Sequence, residues 1–350
     1  MSASLRIAQL STPHERTPPE GYGSINRIVA DLTEELVARS HDVHLFANAD
    51  SQTSATLHSI YDRVGEKFLD FGRDWLHALF SLREISGFDV LHNHNLFSGT
   101  ALGFLADARA SMTTVHFDHV DDYDFLRRVS PQHWVVQSAS QRRRLAWLDT
   151  TGTMHTVRPG IDVAAYRGAD RDDGYLLILG QVGEHKGIRE AIETARKVGM
   201  PLVIAGPVPS WHERYFEEYV RPELDQQVQY VGVVGGQRRL DLLQGARALL
   251  MPSQAEETFG LACVEAMASG TAVVVSAAGA LPELVVDGVT GFVARDVSAA
   301  VAGVERVAEI SPAVCRAHVE QHFTIARMTD DYLELYRRLC RVDEERGSQC

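Results

Sequence analysis

The stretch "AEETFGLACVEAMASG", residues 255–270, sets two glutamates eight positions apart, Glu257 and Glu265. Glu257 precedes a Phe-Gly step, and Glu265 lies inside the apolar run that follows. The spacing predicts a helix from about Leu261 to Ala268, closed by Ser269-Gly270. Upstream, "ALLMPS" (248–253) reads as a strand, so the unit is strand, loop, helix. The N–H groups of Gly260, Leu261 and Ala262 point out of such a helix end, where the dipole favours negative charge. A phosphate there, with sugar hydroxyls on either side, gives each carboxylate a partner, because carboxylates accept hydrogen bonds from vicinal diols. At about 1.5 Å per helical residue, the two glutamates span roughly a diphosphate with its attached sugars. The plainer reading is a surface helix with ordinary capping acids.

The same grammar runs through the whole chain. In the first half, short β-branched runs occur at "LRIAQLS" (5–11), "DVHLFAN" (42–48), "DVLHNHN" (89–95), "MTTVH" (112–116) and "WVVQSA" (134–139). In the second they occur at "YLLILG" (175–180), "PLVIAG" (201–206), "VQYVG" (228–232), "ALLMPS", "AVVVSA" (272–277) and "GFVA" (291–294). Amphipathic segments separate them; Ile25, Ile28, Val29, Leu32 and Leu36 recur at helical spacing behind Ser24, a candidate N-cap. Nearly all-apolar strands alternating with helices predict α/β architecture with parallel sheets covered on both faces. The boundary falls in "VRPGIDVAAYRGADRDDG", residues 157–174. Two doubly wound, Rossmann-like domains follow, 1–160 and 161–327, facing one another across a cleft lined by strand-to-helix loops.

Several loops carry chemistry. The first, "TPHERTPPEGYG", ends in Gly21-Tyr22-Gly23 and opens a helix, so its backbone suits close approach to an anion. The dinucleotide pattern G-x-G-x-x-G fails there, since position 26 is Asn, which argues against a nicotinamide oxidoreductase. His92 and His94 share one face of a strand, and His116 ends another, with His119 and Asp121 close behind. These histidines either bind zinc or serve as neutral hydrogen-bonding groups at a cleft floor. Asp122-Tyr123-Asp124 is a D-x-D of the kind that holds metals in some sugar transferases, but it is too short to be specific. Lys186, in "LGQVGEHKG", follows a strand and precedes a helix, where an ammonium reaches an anion at the sheet edge. "YDRVGEKFLDFGRDWLHALFSL" mixes aromatics with charge and reads as an acceptor-shaping segment or an ordinary packed helix.

Bulk properties bound the rest. A chain of 350 residues, 45% hydrophobic and 23% charged, is a globular profile with room for two cores. The net charge of -13 argues against a nucleic-acid partner. The sequence predicts no membrane span and no leader, so the expected location is cytoplasmic. Cys263, Cys315, Cys340 and Cys350 lack metal-ligand spacing and are expected as free thiols. Assembly state is not written in the sequence.

The double-glutamate stretch, read on as "EETFGLACVEAMASGTAVV", resembles the E, seven residues, E signature of retaining glycosyltransferases of family 4, whose fold is GT-B. "PPEGYGSINRIVADLTEELVARSHDVHLFA", "TTVHFDH", "VRPGID", "LGQVGEHKG" and "GALPELVVDGVTGFV" match that family in order, over about residues 5–335. The resemblance implies a nucleoside diphosphate sugar as donor, UDP favoured and GDP open beside it. It implies a small-molecule or glycan acceptor bound to the first domain, and the acidic charge balance favours a soluble acceptor over a membrane-embedded one. No cofactor and no required metal are expected. By resemblance, Glu265 holds the ribose, Glu257 contacts the donor sugar near the reacting centre, and Phe259, Gly260 and Leu261 present backbone to sugar and phosphates. Lys186 binds the diphosphate, Gly23 approaches it from the other domain, and His116 hydrogen-bonds the sugar. The terminal helix, about 328–350, packs back on the first domain.

Two departures stand out. Gln181 occupies a position where the family usually has arginine, which weakens the usual phosphate contact unless another cation such as Arg189 substitutes. The usual Gly-Gly of the first loop appears as Gly21-Tyr22-Gly23-Ser24. Gln181 keeps a second reading open, a nucleotide-sugar-binding protein with little turnover. A metal-dependent hydrolase built on His92, His94 and His116 is a third.

Overall fold

The computed structural model describes residues 4–65, 70–95, 98–102, 105–117, 133–149, 152–166, 168 and 172–347. His119, Asp121, Asp122, Asp124 and Cys350 lie outside them. The chain divides into two compact units. One comprises residues 1–19, 23–160 and 325–350, the other residues 20–22 and 161–324.

The first unit holds a seven-stranded parallel sheet in the order β3-β2-β1-β4-β5-β6-β7. The strands are β1 Arg6–Leu10, β2 Asp42–Phe46, β3 Thr56–His58, β4 Ser86–Asn93, β5 Asp107–Thr114, β6 His133–Val136 and β7 Met154–Thr156. The apolar runs form the central strands, with Ile7, Val43, Leu45, Val90, Leu91 and Val135 buried. The edge strands β3 and β7, "TLH" and "MHT", have no apolar run to announce them. The Ser24–Ala38 helix buries Ile28, Val29, Leu32 and Leu36, the face its periodicity predicts. Its N-cap is Gly23 rather than Ser24, and no side chain caps it. A Cβ at Gly23 (φ 152°) would lie 2.3 Å from Glu15 Oε2 and 2.8 Å from Pro19 Cβ, so the chain turns into the helix only through glycine.

The Phe71–Glu84 helix is turned inside out. Asp74, His77 and Ser81 face inward, while Phe71, Trp75, Leu76 and Leu79 are exposed. The inner polar groups find partners: Asp74 bonds Ser98 Oγ and His14, and His77 Nε2 bonds the Ser11 carbonyl, while His77 Nδ1 meets no partner among the described residues. The Ile325–Gly347 helix packs on β4, β5 and the Ser24–Ala38 helix, burying Tyr332, Leu333, Tyr336 and Leu339.

The second unit holds a six-stranded parallel sheet in the order β10-β9-β8-β11-β12-β13. The strands are β8 Tyr175–Leu179, β9 Leu202–Ala205, β10 Val228–Tyr230, β11 Ala246–Met251, β12 Ala272–Ser276 and β13 Gly291–Ala294. The Ile188–Val198 and Leu261–Ala268 helices follow β8 and β11, and the second is buried from Cys263 to Ala268. Cys263, Cys315 and Cys340 are buried, and no disulfide joins them to one another. Among the described residues no helix is long and apolar enough to cross a membrane.

Candidate active site

In the second sheet, β8 has β9 on one side and β11 on the other, so the chain's winding reverses between β8 and β11. The loops leaving the carboxyl ends of these two strands diverge there, which opens a natural ligand position. Lys186 comes from the first loop and Glu257 from the second. Lys186 Nζ donates to Glu257 Oε1 at 2.6 Å. Ser253 Oγ donates to the same oxygen at 2.6 Å. Burial pushes the Glu257 carboxyl up, but the Lys186 charge and the two hydrogen bonds outweigh it and hold the group below its ordinary value.

Backbone contacts force the two loops together. A Cβ at Gly187 (φ 68°) would lie 1.9 Å from the Pro252 carbonyl oxygen. The amides of Gln254 and Ala255 both donate to the His185 carbonyl, at 2.9 and 3.3 Å. On its other side, the Glu257 carbonyl accepts from Ala280 N at 2.9 Å, and a Cβ at Gly279 would meet the Glu257 backbone at 2.3 Å. Burial and the neighbouring Lys186 drive the His185 imidazole down to about 4, so it stays neutral beside the ammonium.

The Leu261–Ala268 helix begins at Gly260 (φ 118°), with no side-chain cap and no acidic residue in its first turn. Its first amides are thus left uncapped by the helix's own side chains and suit an anion. A Cβ at Gly260 would lie 2.8 Å from Leu281 Cδ2, so a side chain there is excluded. Phe259 is buried, edge-on to Phe323 with ring centroids 5.9 Å apart. Glu265, 1% exposed, accepts from Tyr166 Oη at 2.8 Å through Oε1 and pairs with Arg239 through Oε2.

In the first unit, the three histidines join one buried chain of hydrogen bonds. Gln137 Nε2 meets His116 Nδ1 at 2.8 Å, His116 Nε2 meets His94 Nδ1 at 3.0 Å, and His94 Nε2 meets Gln9 Oε1 at 3.0 Å. Gln9 Nε2 continues to Tyr336 Oη at 3.2 Å, Tyr336 Oη to His92 Nδ1 at 2.6 Å, and His92 Nε2 to Thr114 Oγ1 at 2.7 Å. Thr114 ends the run on Tyr332 Oη at 3.0 Å. One direction of donation, from Gln137 to Thr114, satisfies every ring nitrogen with a neutral imidazole. Burial holds His116 down at about 3 and His92 and His94 well below their ordinary value.

Two family profiles divide the chain between them. Residues 25–165 match Glycosyltransferase Family 4, and residues 165–314 match Glycosyl transferases group 1. The chain belongs to the group 1, family 4 glycosyltransferases. A glycogen synthase of Mycobacterium tuberculosis (strain CDC 1551 / Oshkosh) is 26% identical over 94% of this chain and 91% of that protein. Among solved structures, AviGT4, a glycosyltransferase involved in avilamycin A biosynthesis, is 27% identical with a TM-score of 0.74, over 96% of this chain and 98% of that one. The Anabaena protein HepE, solved in complex with UDP and glucose, is 15% identical with a TM-score of 0.75, over 95% of this chain and 99% of that one. The two parallel-sheet units are those of the GT-B fold.

In this glycosyltransferase the structure brings Lys186 and Glu257 into contact, with the open helix end at Gly260, the residue after Phe259. Gln181 lies two residues past β8 and is half-buried. Arg189, the substitute cation, is exposed with its guanidinium 5.0 Å from the Tyr219 ring centroid. Gly23 belongs to the first unit and is required there by Glu15 and Pro19. His116 is 5% exposed, two residues past the end of β5, with both ring nitrogens bonded. A sugar reaching it competes with Gln137 or His94. A zinc ion at His92, His94 and His116 would likewise have to displace these bonds, since each ring nitrogen is bonded within the chain. Among the described residues, which exclude His119 and Asp121, no group of three or more His, Cys, Asp or Glu side chains is arranged to hold a metal ion.

Sequence reasoning missed Ser253, Tyr166 and Arg239. Ser253 was legible as the last residue of "ALLMPS", four before Glu257. Arg239 lies four residues before Leu243, which is fully buried, so helical spacing turns it inward and leaves Arg238 exposed. Tyr166 sits in the boundary segment, where no periodicity operates.

Proposed function

We propose that this glycosyltransferase takes its sugar from a nucleoside diphosphate sugar, UDP-linked, and passes it with retention of anomeric configuration to a soluble acceptor. The observation that carries the reading is the Lys186–Glu257 pair at the point where the second sheet reverses its winding, beside an uncapped helix end. Departure of the sugar builds negative charge on the diphosphate. Lys186 and the amides at Gly260 and Leu261 meet that charge as fixed, preorganised donors. Both protein donors to Glu257 land on Oε1, and among the described residues Oε2 has no hydrogen-bond partner, so it faces a sugar hydroxyl. Glu265 takes the ribose hydroxyls and His116 the sugar. The acceptor attacks from the face the diphosphate leaves, and the departing phosphate oxygen takes its proton. No side chain is assigned as base, and with Lys186 meeting the charge the transfer is proposed to need no metal. UDP in the HepE complex supports that nucleotide as the first to test.

The test is thermal unfolding with UDP, GDP and ADP, followed by UDP release from UDP-sugars with EDTA present. A nucleotide at about 100 times its dissociation constant adds roughly 2.7 kcal/mol to the folded state. UDP should stabilise the protein, and Glu265→Ala should abolish the effect. Silence toward all three nucleotides would overturn the reading. Binding without release in the presence of any acceptor would favour a binding protein weakened at Gln181.

A further inference from the structure

The Glu265 carboxylate offers about four acceptor sites, and the protein uses two, for Tyr166 Oη and Arg239 Nη2. Arg239 is unsatisfied from the other direction. Its Nε–H is buried and meets no acceptor among the described residues. A buried guanidinium donor left unbonded is costly, and such groups in a folded protein call for an explanation. Carboxylate and guanidinium thus leave, side by side, spare acceptor capacity and a spare donor. A hydroxyl group fits both at once, since it donates through its hydrogen and accepts at its oxygen. A vicinal diol supplies two donors for the carboxylate and an oxygen for Nε–H.

We infer that Arg239 is a second reader of the nucleotide's ribose, donating to a hydroxyl oxygen whose own hydrogen goes to Glu265. The inference rests on the reading of Glu265 as the ribose contact. At 1% exposure the carboxylate is closed, so a diol reaches it only if one protein partner shifts. Arg239, with its side chain 16% exposed and a donor to spare, is that partner; Tyr166, 9% exposed and bonded to Oε1, stays. The guanidinium turns from Oε2 onto the incoming hydroxyl and keeps a cation next to the nucleotide, in a chain that has Gln181 where its family usually has arginine. Recognition by a matched donor and acceptor makes Arg239 a specificity residue, because a deoxy sugar leaves both protein groups unpaired.

The experiment compares the affinity of UDP with those of 2′-deoxy-UDP and 3′-deoxy-UDP, by calorimetry, for the wild type, Arg239→Lys, Arg239→Met and Glu265→Gln. Arg239→Lys keeps a cation opposite Glu265 and so preserves the fold if Arg239→Met does not. The wild type should prefer UDP over at least one deoxy analogue by about tenfold or more, the worth of a hydrogen bond to a charged group. Arg239→Lys, lacking an Nε–H, should lose most of that preference. A wild-type preference retained in Arg239→Lys but lost in Glu265→Gln would overturn the role of Arg239 while leaving Glu265 as the ribose contact. A preference retained in Glu265→Gln as well would overturn the ribose assignment itself, and the role of Arg239 with it.

Discussion

Lys186 Nζ and Glu257 Oε1 lie 2.6 Å apart although 71 positions separate them in the chain, each on the loop that leaves one of the two strands flanking the sheet's reversal. Both side chains are mostly buried, at 23% and 14% exposure, so each is held for the other. Lys186→Met removes a preorganised cation and leaves Glu257 with Ser253 alone. Turnover should fall by about 10²- to 10³-fold, the usual loss for one such donor. Glu257→Gln keeps the size and an acceptor for Lys186, so nucleotide affinity should change little while turnover drops. Steady-state kinetics beside calorimetric UDP binding separates the two effects. Equal loss of binding and turnover in Glu257→Gln would make that residue a nucleotide contact rather than a group at the reacting sugar.

The loops meet through Gly187, and its substitution isolates that contact. Gly187 and Gly199 share φ 68°, so Ala at either bears the same left-handed backbone cost, about 1–2 kcal/mol. At Gly199 nothing lies within 4 Å of the new methyl, whereas at Gly187 it would overlap the Pro252 carbonyl at 1.9 Å. Gly187→Ala should therefore lower the urea midpoint clearly more than Gly199→Ala, and should lower activity as well by parting Lys186 from Glu257. Equal midpoints in the two variants would show that the loops can separate freely.

The residues that were legible are those whose role is set by local spacing. Glu257, Phe259, Gly260 and Glu265 fall in one strand-loop-helix unit, and Lys186 falls at the equivalent point one strand away, so apolar periodicity alone puts them at sheet ends. Short edge strands such as Met154–Thr156 were not legible, because three residues with one apolar side chain carry no period. The inverted Phe71–Glu84 helix was ambiguous, since its inner face is polar and takes partners from Ser98, His14 and Ser11, outside the helix. Tyr166 and Arg239 were invisible for a related reason: their partner is Glu265, and only the folded chain brings the three together. The two histidines on one strand were legible as a shared face, but whether they faced metal or amide depended on Gln9 and Tyr336, from opposite ends of the sequence.

Acid should destabilise the protein early. His92, His94 and His116 are held neutral by burial, with repulsion between the rings adding to the effect at His92 and His94, and their folded values lie below the unfolded value of 6.5. A group with a lowered folded value contributes its full stability above the unfolded value. That contribution is lost as pH falls below 6.5, because the unfolded rings take up protons that the folded ones refuse. Each such ring contributes about 1.4 kcal/mol per pH unit once pH is well below 6.5. Urea midpoints measured at pH 7.5, 6.0 and 5.0 should fall, and fall faster in the second interval. A flat profile over that range would mean that the rings are charged in the folded protein.

Tyr336 is where the hydrogen-bonded chain is most open to a clean deletion. Its hydroxyl accepts from Gln9 Nε2 and bonds His92 Nδ1, whereas the Tyr332 hydroxyl meets Thr114 alone among the network's members. Both rings are buried, so Phe at either position keeps the packing and removes one oxygen. Tyr336→Phe strands a buried amide donor and a buried ring nitrogen, each at about 1–3 kcal/mol. Tyr332→Phe leaves only the Thr114 hydroxyl, which can turn to another partner. The Tyr336 variant should therefore lose at least about twice the stability of the Tyr332 variant, read from denaturant midpoints at pH 7.5. Because Tyr336 ties the Ile325–Gly347 helix to β1 and β4 through Gln9 and His92, proteolytic cleavage within that helix should also quicken in Tyr336→Phe. Equal losses in the two variants, with cleavage unchanged, would mean that the Tyr336 hydroxyl is dispensable and that packing alone holds the helix.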